Sequence, residues 1–267
     1  MIGFVGGGNM AEALINGVIS AGLYKSENII VSDIRAERLS YLEKQYGVQT
    51  VDSNAGLAEK VETIVLSVKP QNMTEAIGTI KDSVKAGTLI ISIAAGVKIA
   101  NISAVLGDRP IVRVMPNTPA LIGEGASALF ANEQAKPMLG KAKAIFAAVG
   151  EAIVVESEDL MDAVTAVSGS GPAYYFLLME EMIKAAGQLG LADDVARKLV
   201  LQTAKGAALL AVEAEKRGET AGELRKKVTS PGGTTEAALK VFAEGRFGPL
   251  VSAAIKKARD KGKELSR

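Results

Sequence analysis

The 267-residue chain contains no cysteine and no histidine. Without cysteine there is no disulfide framework and no thiol nucleophile. Without histidine, an imidazole acid/base, a histidine-based catalytic triad and most zinc sites are excluded, so no metal centre is expected. Proton movement is left to water, hydroxyls, lysines or carboxylates. Charge of one sign is lacking too: 31 Lys and Arg stand against 30 Asp and Glu, which argues against a broad nucleic-acid surface and leaves room only for local basic pockets. No run approaches the roughly 18 consecutive apolar residues of a membrane span. The apolar first residues have no basic region before them and no cleavage-like segment after them. They read as a buried first strand rather than a signal peptide, and a cytoplasmic location is the expectation.

What is present is ordinary for a globular protein, 48% apolar and 23% charged, and long enough for one large domain or two. Up to about residue 155, short β-branched runs alternate with helical stretches. Strands are predicted at Ile2–Val5, Ile29–Ser32, 63–68, 88–93, 111–114, 126–130 and 152–155, with helices such as 11–21, Ala36–Tyr46 and 136–149 between them. This alternation predicts an α/β architecture, a parallel, doubly wound sheet of Rossmann type. After about residue 160 the β-branched runs stop, and Ala, Leu, Glu and Lys recur at helical spacing over 171–191, 193–217, 221–228, 234–243 and 248–263. The second domain should therefore be all-helical, giving a division at 1–157 and 158–267. Its many small residues, as in Thr203-Ala204-Lys205-Gly206-Ala207-Ala208, permit close helix packing within the domain or in a core shared by a dimer. Met179 and Met182 read as core, and Glu180 and Glu181 as surface partners of Lys184.

Three features carry chemistry. The first strand runs into Gly6-Gly7-Gly8-Asn9-Met10-Ala11, a G-x-G-x-x-A pattern between a strand and an amphipathic helix. There Gly6 makes the tight turn, Gly8 admits a pyrophosphate to the backbone and Ala11 lets the helix pack closely. Asp33, ending the second strand, is placed to take ribose hydroxyls, while Arg35 and Arg38 are placed either to hold a 2′-phosphate or to form a solvated helix face. The third, fourth and fifth strands end at Val68-Lys69-Pro70-Gln71, Ala94-Ala95-Gly96 and Met115-Pro116-Asn117-Thr118-Pro119, the carboxyl edge where ligands bind in such sheets. Lys69 is placed either to approach a phosphate or ribose or to stand as a solvated edge charge, and Asn117 either hydrogen-bonds near the reacting ring or caps backbone. The last feature is Val228-Thr229-Ser230-Pro231-Gly232-Gly233-Thr234-Thr235-Glu236, between two helical segments. Its glycines and helix start leave amides for a small anion, a carboxylate above all, with hydroxyls alongside. Glu236 falls in a first helical turn, where a favourable place in the helix dipole accounts for it.

FVGGGNMAEAL, VKPQ, SIAAGV, RVMPNTP, AVSGSGPAY and LRKKVTSPGGTTEAAL, in this order, resemble segments of the pyrroline-5-carboxylate reductases across nearly the whole chain. The resemblance implies NAD(P)H-dependent reduction of 1-pyrroline-5-carboxylate to L-proline, the last step of proline synthesis. It places Gly6, Gly8, Asn9, Met10 and Ala11 at the pyrophosphate, and Asp33 and Arg35 near the adenosine ribose. Asn54, Val68, Lys69, Pro70, Gln71, Ala94 and Ala95 would line the cofactor. Ser230, Gly233 and Thr234 would hold the substrate carboxylate, with Asn117 near the reacting ring, and Thr235 would hydrogen-bond the imine nitrogen. Hydride transfer to an already protonated imine suits a chain without histidine. The resemblance also implies an interlocked homodimer, in some members assembled into a decamer; the charge balance and the lack of an apolar span already lead one to expect no nucleic-acid or membrane partner. Members favouring NADPH often carry a small or basic residue where this chain has Asp33-Ile34, so NADP and NAD both stay open as cofactors. The rival of the same architecture, a β-hydroxyacid dehydrogenase, needs a lysine base early in the helical part; here SGSGPAYYFLLMEEM has none before Lys184. Another imine reductase of this fold, or a non-enzymatic nucleotide sensor, completes the alternatives.

Overall fold

A computed structural model describes residues 1–265. Strands β1 (Ile2–Val5), β2 (Ile29–Ser32), β3 (Gln49–Val51), β4 (Thr63–Leu66), β5 (Leu89–Ser92), β6 (Ile111–Met115), β7 (Gly125–Ala131) and β8 (Gly150–Val154) form one sheet in the order β3-β2-β1-β4-β5-β6-β7-β8. The helices are α1 (Asn9–Ser20), α2 (Ala36–Tyr46), α3 (Asn54–Ala58), α4 (Met73–Ile80), α5 (Ile99–Leu106), α6 (Leu139–Ala147), α7 (Met161–Val164), α8 (Gly171–Gln188), α9 (Asp193–Glu215), α10 (Ala221–Lys227), α11 (Thr234–Glu244) and α12 (Phe247–Leu265). They fall into two compact units, one of residues 1–172 with 257–265 and one of residues 173–256.

In the first unit the strands are apolar on both faces because both are covered. Ile29, Val31, Val65 and Ile91 join α1 and α6 in one core, with Phe4, Leu14 and Phe146 at its centre. Ile30, Ile64, Leu66 and Ile90 join α3, α4 and α5 in the other. Alternate residues of one strand thus feed opposite cores. The strand order reverses between β1 and β4, which opens a crevice at their carboxyl ends.

The sheet is not wholly parallel. β7 runs antiparallel to β6, Val114 opposite Leu129. The connection between them is one 3₁₀ turn, Thr118–Ile122, too short to carry the chain back for a parallel pairing. β3 was not foreseen either: Gln49, Thr50 and Val51 form a three-residue edge strand with no buried member, so no apolar run announces it. The helix expected over 136–149 starts as a 3₁₀ stretch, Glu133–Met138, because Pro137 lies inside it, and becomes α-helical only at Leu139.

The second unit is helical, as the spacing predicts, but has little core of its own. Ala196, Val200 and Ala214 are its buried apolar residues, while Tyr175, Phe176, Leu177, Leu201 and Leu209 are each more than half exposed. Met182, expected in the core, is 44% exposed within the single chain. The helices leave broad apolar faces uncovered, including the wall of a cavity of about 760 Å³ beside Leu178, Phe242 and Phe247. Lys184 does pair with Glu180 and Glu181, at 2.7 and 2.8 Å. No helix among the described residues is long and apolar enough to cross a membrane.

Candidate functional site

The glycine turn after β1 is built by backbone crowding. Gly6 has φ +96°, and a Cβ there would lie 3.0 Å from the Ser67 carbonyl group; both facts require glycine. Its amide donates to Ser32 O at 2.8 Å, and the Ser67 hydroxyl donates to Gly6 O at 2.6 Å, so the turn is stitched to β2 and β4. Gly8 is the opposite case. A Cβ there would meet no atom within 4 Å, and it would point into open space at the start of α1. Gly8 is also the N-cap, and no side chain caps the helix. The first-turn amides at Asn9, Met10 and Ala11 are therefore available to an anion, while Ala11 itself is fully buried.

Asp33 directly follows β2 beside this turn. Its Oδ2 accepts the Gly7 amide at 2.8 Å and Arg35 Nη2 at 3.2 Å; its Oδ1 accepts the Arg35 amide at 2.9 Å and Nε at 3.0 Å. Burial alone would raise this carboxyl, but those bonds outweigh it and hold its pKa below the ordinary value. Arg35 is half-exposed and leaves part of its guanidinium facing solvent. Arg38 takes a role that neither sequence reading included. It donates to Glu12 and to the Gly7 carbonyl and lies over the Tyr41 ring at 5.1 Å, bracing the turn from below. Glu12 also accepts Tyr41 and Tyr46, at 3.0 and 2.8 Å. Burial and this carboxylate push the Tyr46 hydroxyl up to about 12. Four residues from two helices make this brace, so only their spacing across the turn could have hinted at it.

The other expected cofactor residues lie along the same carboxyl edge. Asn54 opens α3; its Oδ1 accepts Ser32 Oγ at 2.7 Å and its amide donates to Thr79 Oγ1 at 3.0 Å. Val68 and Lys69 follow β4, with Lys69 exposed at the N-cap of a turn begun by Pro70 and Gln71. Ala94, buried, and Ala95, partly buried, follow β5. Asn117 follows β6, but its side chain is engaged within the protein: Oδ1 accepts the Ala126 amide at 2.8 Å, and Nδ2 reaches Ser168 O and Oγ at 3.3 Å. It ties the loop after β6 to a π-helical turn, Thr165–Gly169.

In the second unit, Ser230-Pro231-Gly232-Gly233 leads into α11. Gly232 has φ +72°, and Gly233 is the N-cap in extended geometry with no side-chain cap. At the preceding helix the same protein caps α10 in full: Thr220 Oγ1 accepts the Glu223 amide at 3.2 Å and Glu223 Oε2 accepts the Thr220 amide at 2.7 Å. At α11 that device is absent, and the carboxylate that comes nearest to it bonds one residue before the cap. Glu236, three residues after the cap like Glu223, reaches back to the Gly232 amide at 2.8 Å, beyond the role in the helix dipole expected of it. The reciprocal acceptor is missing because Gly233 has no side chain, so the amides of the first turn stay open. Among the described residues, no protein group bonds the hydroxyls of Ser230, Thr234 or Thr235. A concavity of about 520 Å³ beside them is lined by Gly232, Gly233, Glu236, Ala237, Leu239 and Lys240.

Comparison with known proteins bears on both units. Residues 158–265 match the family model described as pyrroline-5-carboxylate reductase dimerisation. Residues 1–96 match one described as NADP oxidoreductase, coenzyme F420-dependent. The chain is 45% identical to the pyrroline-5-carboxylate reductase of Pseudomonas aeruginosa, covering 99% of this chain and 96% of that one. Among solved structures, a pyrroline-5-carboxylate reductase from Coxiella burnetii aligns with a TM-score of 0.94 at 42% identity, over 100% of this chain and 98% of the other. The pyrroline carboxylate reductase of Plasmodium falciparum, solved with NADP bound, aligns with a TM-score of 0.88 at 31% identity, over 100% and 98%.

Proposed function

The chain belongs to the pyrroline-5-carboxylate reductase family, and from that membership we infer that it reduces the C=N bond of 1-pyrroline-5-carboxylate with NAD(P)H to give L-proline. It is an oxidoreductase of proline biosynthesis. The observation that carries the substrate assignment is the uncapped start of α11, where Gly233 lacks the acceptor that Thr220 supplies to α10. The substrate carboxylate takes that acceptor's place, held by the amides that follow Gly233 and flanked by Ser230 and Thr234. Thr235, the second residue of the helix, directs its hydroxyl to the imine nitrogen.

The first unit fits the cofactor: open space at Gly8 beside uncapped amides accepts a pyrophosphate, with Asn9, Met10 and Ala11 presenting the helix start. When bound, NAD(P)H supplies the hydride that adds to C5 of the imine. Gly6 fixes the turn, Asp33 and Arg35 meet the adenosine ribose, and Asn54, Val68, Lys69, Pro70, Gln71, Ala94 and Ala95 wall the site. Asn117 contributes by holding the loop after β6 against Ser168. On this reading residues 1–157 bind the dinucleotide and 158–267 bind substrate and pair two subunits into a homodimer, whose uncovered apolar faces supply the shared core. Decamer formation from dimers is its extension, and a cytoplasmic location its setting.

Replacing Gly233 by serine tests the carboxylate assignment. The hydroxyl would cap α11 internally, so KM for the imine should rise about tenfold with NAD(P)H affinity nearly unchanged, while the added Cβ crowds the Ser230 carbonyl as it would in alanine. Gly233→Ala, whose Cβ would lie 3.0 Å from Ser230 O, separates crowding from capping. Equal KM for the serine variant and wild type would end the assignment.

Asp33 sets the cofactor balance. Its charge repels a 2′-phosphate, yet Arg35 already neutralises part of it. Asp33→Ser removes the repulsion and frees Arg35, so the NADPH:NADH ratio of kcat/KM should rise about tenfold, equivalent to roughly 1.4 kcal/mol. Steady-state kinetics with both cofactors measures this, and an unchanged ratio would show that Asp33 does not discriminate.

A further inference from the structure

Arg113, in the middle of β6, is only 3% exposed, and it is the one charged residue among the fully buried side chains of the described residues. Its Nη1 donates to Glu158 Oε1 at 3.0 Å. Glu158 belongs to the 3₁₀ turn after β8, Glu158–Leu160. The same oxygen accepts the Ile99 amide at 2.8 Å. Ile99 is the first residue of α5, and Lys98, its N-cap, offers no side-chain cap. Glu158 is thus a cap supplied from a distant part of the chain and oriented by a buried guanidinium.

A buried ion pair is weak grounds for stability, because desolvation of both partners offsets their attraction. Its distinct contribution is geometric, since a charge-assisted bond fixes direction and distance. The segment it fixes is short. Residues 94–98 run between Ile93, whose amide is held by Leu66 O at 3.2 Å, and Ile99, held by Glu158. Within it Gly96 sits at φ +75°.

We propose that Arg113 and Glu158 are positioning residues for the cofactor. Without touching it, they pin the 94–98 loop so that Ala94 and Ala95 stand at the wall that receives its nicotinamide half. The proposal rests on the assignment of Ala94 and Ala95 to that wall.

The test uses the full-length enzyme with Glu158→Ala, Glu158→Gln, Ala95→Leu and the double variant Arg113→Met with Glu158→Met. Dissociation constants for NADPH and NADH, KM for the imine, and Tm are read for each. Glu158→Ala should weaken cofactor binding about tenfold and lower Tm, with KM for the imine nearly unchanged. Glu158→Gln keeps an oxygen for Ile99 and Arg113 and should bind within about threefold of wild type. The double variant separates position from stability: an apolar pair should restore Tm, yet cofactor binding should stay about tenfold weak. Wild-type cofactor affinity in the double variant, or in Glu158→Ala, overturns the proposal. If Ala95→Leu leaves cofactor binding unchanged, the wall assignment fails, and the positioning role falls with it for that separate reason.

Discussion

Thr235→Ala should lower kcat about a hundredfold while NAD(P)H affinity stays within about twofold of wild type. The hydroxyl of Thr235 has no protein partner among the described residues, so removing it breaks nothing in the fold, and alanine is favourable in a helix. On the proposed assignment, what is lost is a directional contact to the imine nitrogen. Holding reacting atoms at about 3–3.5 Å supplies much of the rate, and a displacement of about 1 Å costs on the order of a hundredfold. The loss should appear in turnover, since the carboxylate contact through the helix amides persists. Thr235→Ser should recover most of the activity. Full activity in Thr235→Ala would show that the nitrogen is oriented by something else.

Gly150→Ala should destabilise the protein by about 3–5 kcal/mol, combining a glycine-only backbone with an overpacked contact. Gly150 opens β8 at φ +140°, and a Cβ there would lie 2.0 Å from Gly125 O and 2.4 Å from Gly125 N. Those two glycines face each other in register, so neither backbone can retreat without losing the pairing of β7 with β8. Urea unfolding measures the loss, or thermal unfolding, where it should lower Tm by roughly 10 °C. Gly78→Ala is the control: Gly78 lies inside α4 and a Cβ there meets nothing within 4 Å. That variant should stabilise by about 0.5–1 kcal/mol. A Gly150→Ala protein as stable as wild type would mean that the β7–β8 start is looser than its geometry.

The parts of the fold legible from sequence were those written locally. TIVL and LIIS announce β4 and β5 because both faces of each strand are buried, and the turn at Gly6–Ala11 is readable because its three roles fall on adjacent residues. The direction of β7 was not legible, since a loop's length and path set it, not the strand's own residues. Arg38 and Arg113 were misjudged or passed over for a related reason. Each is an unremarkable cation until the fold brings Glu12 or Glu158 to it. Met182 failed as a core residue within one chain because the apolar face it joins is not covered by that chain. In the loop before α11 the glycines and hydroxyls were readable, but the contrast between α10 and α11 needed the hydrogen bonds.

That contrast bears on how the sequence can drift. As an N-cap, glycine lies only a few tenths of a kcal/mol behind serine or asparagine, whereas alanine lies about 1 kcal/mol behind them. Leaving Gly233 without an acceptor therefore asks almost nothing of the fold. Selection for stability alone presses only weakly to fill the gap, and selection for binding can hold it open. Capping itself is nearly neutral for folding at this position and not for chemistry, so among residues whose Cβ the Ser230 carbonyl accommodates, tolerance should follow side-chain oxygen rather than helix propensity.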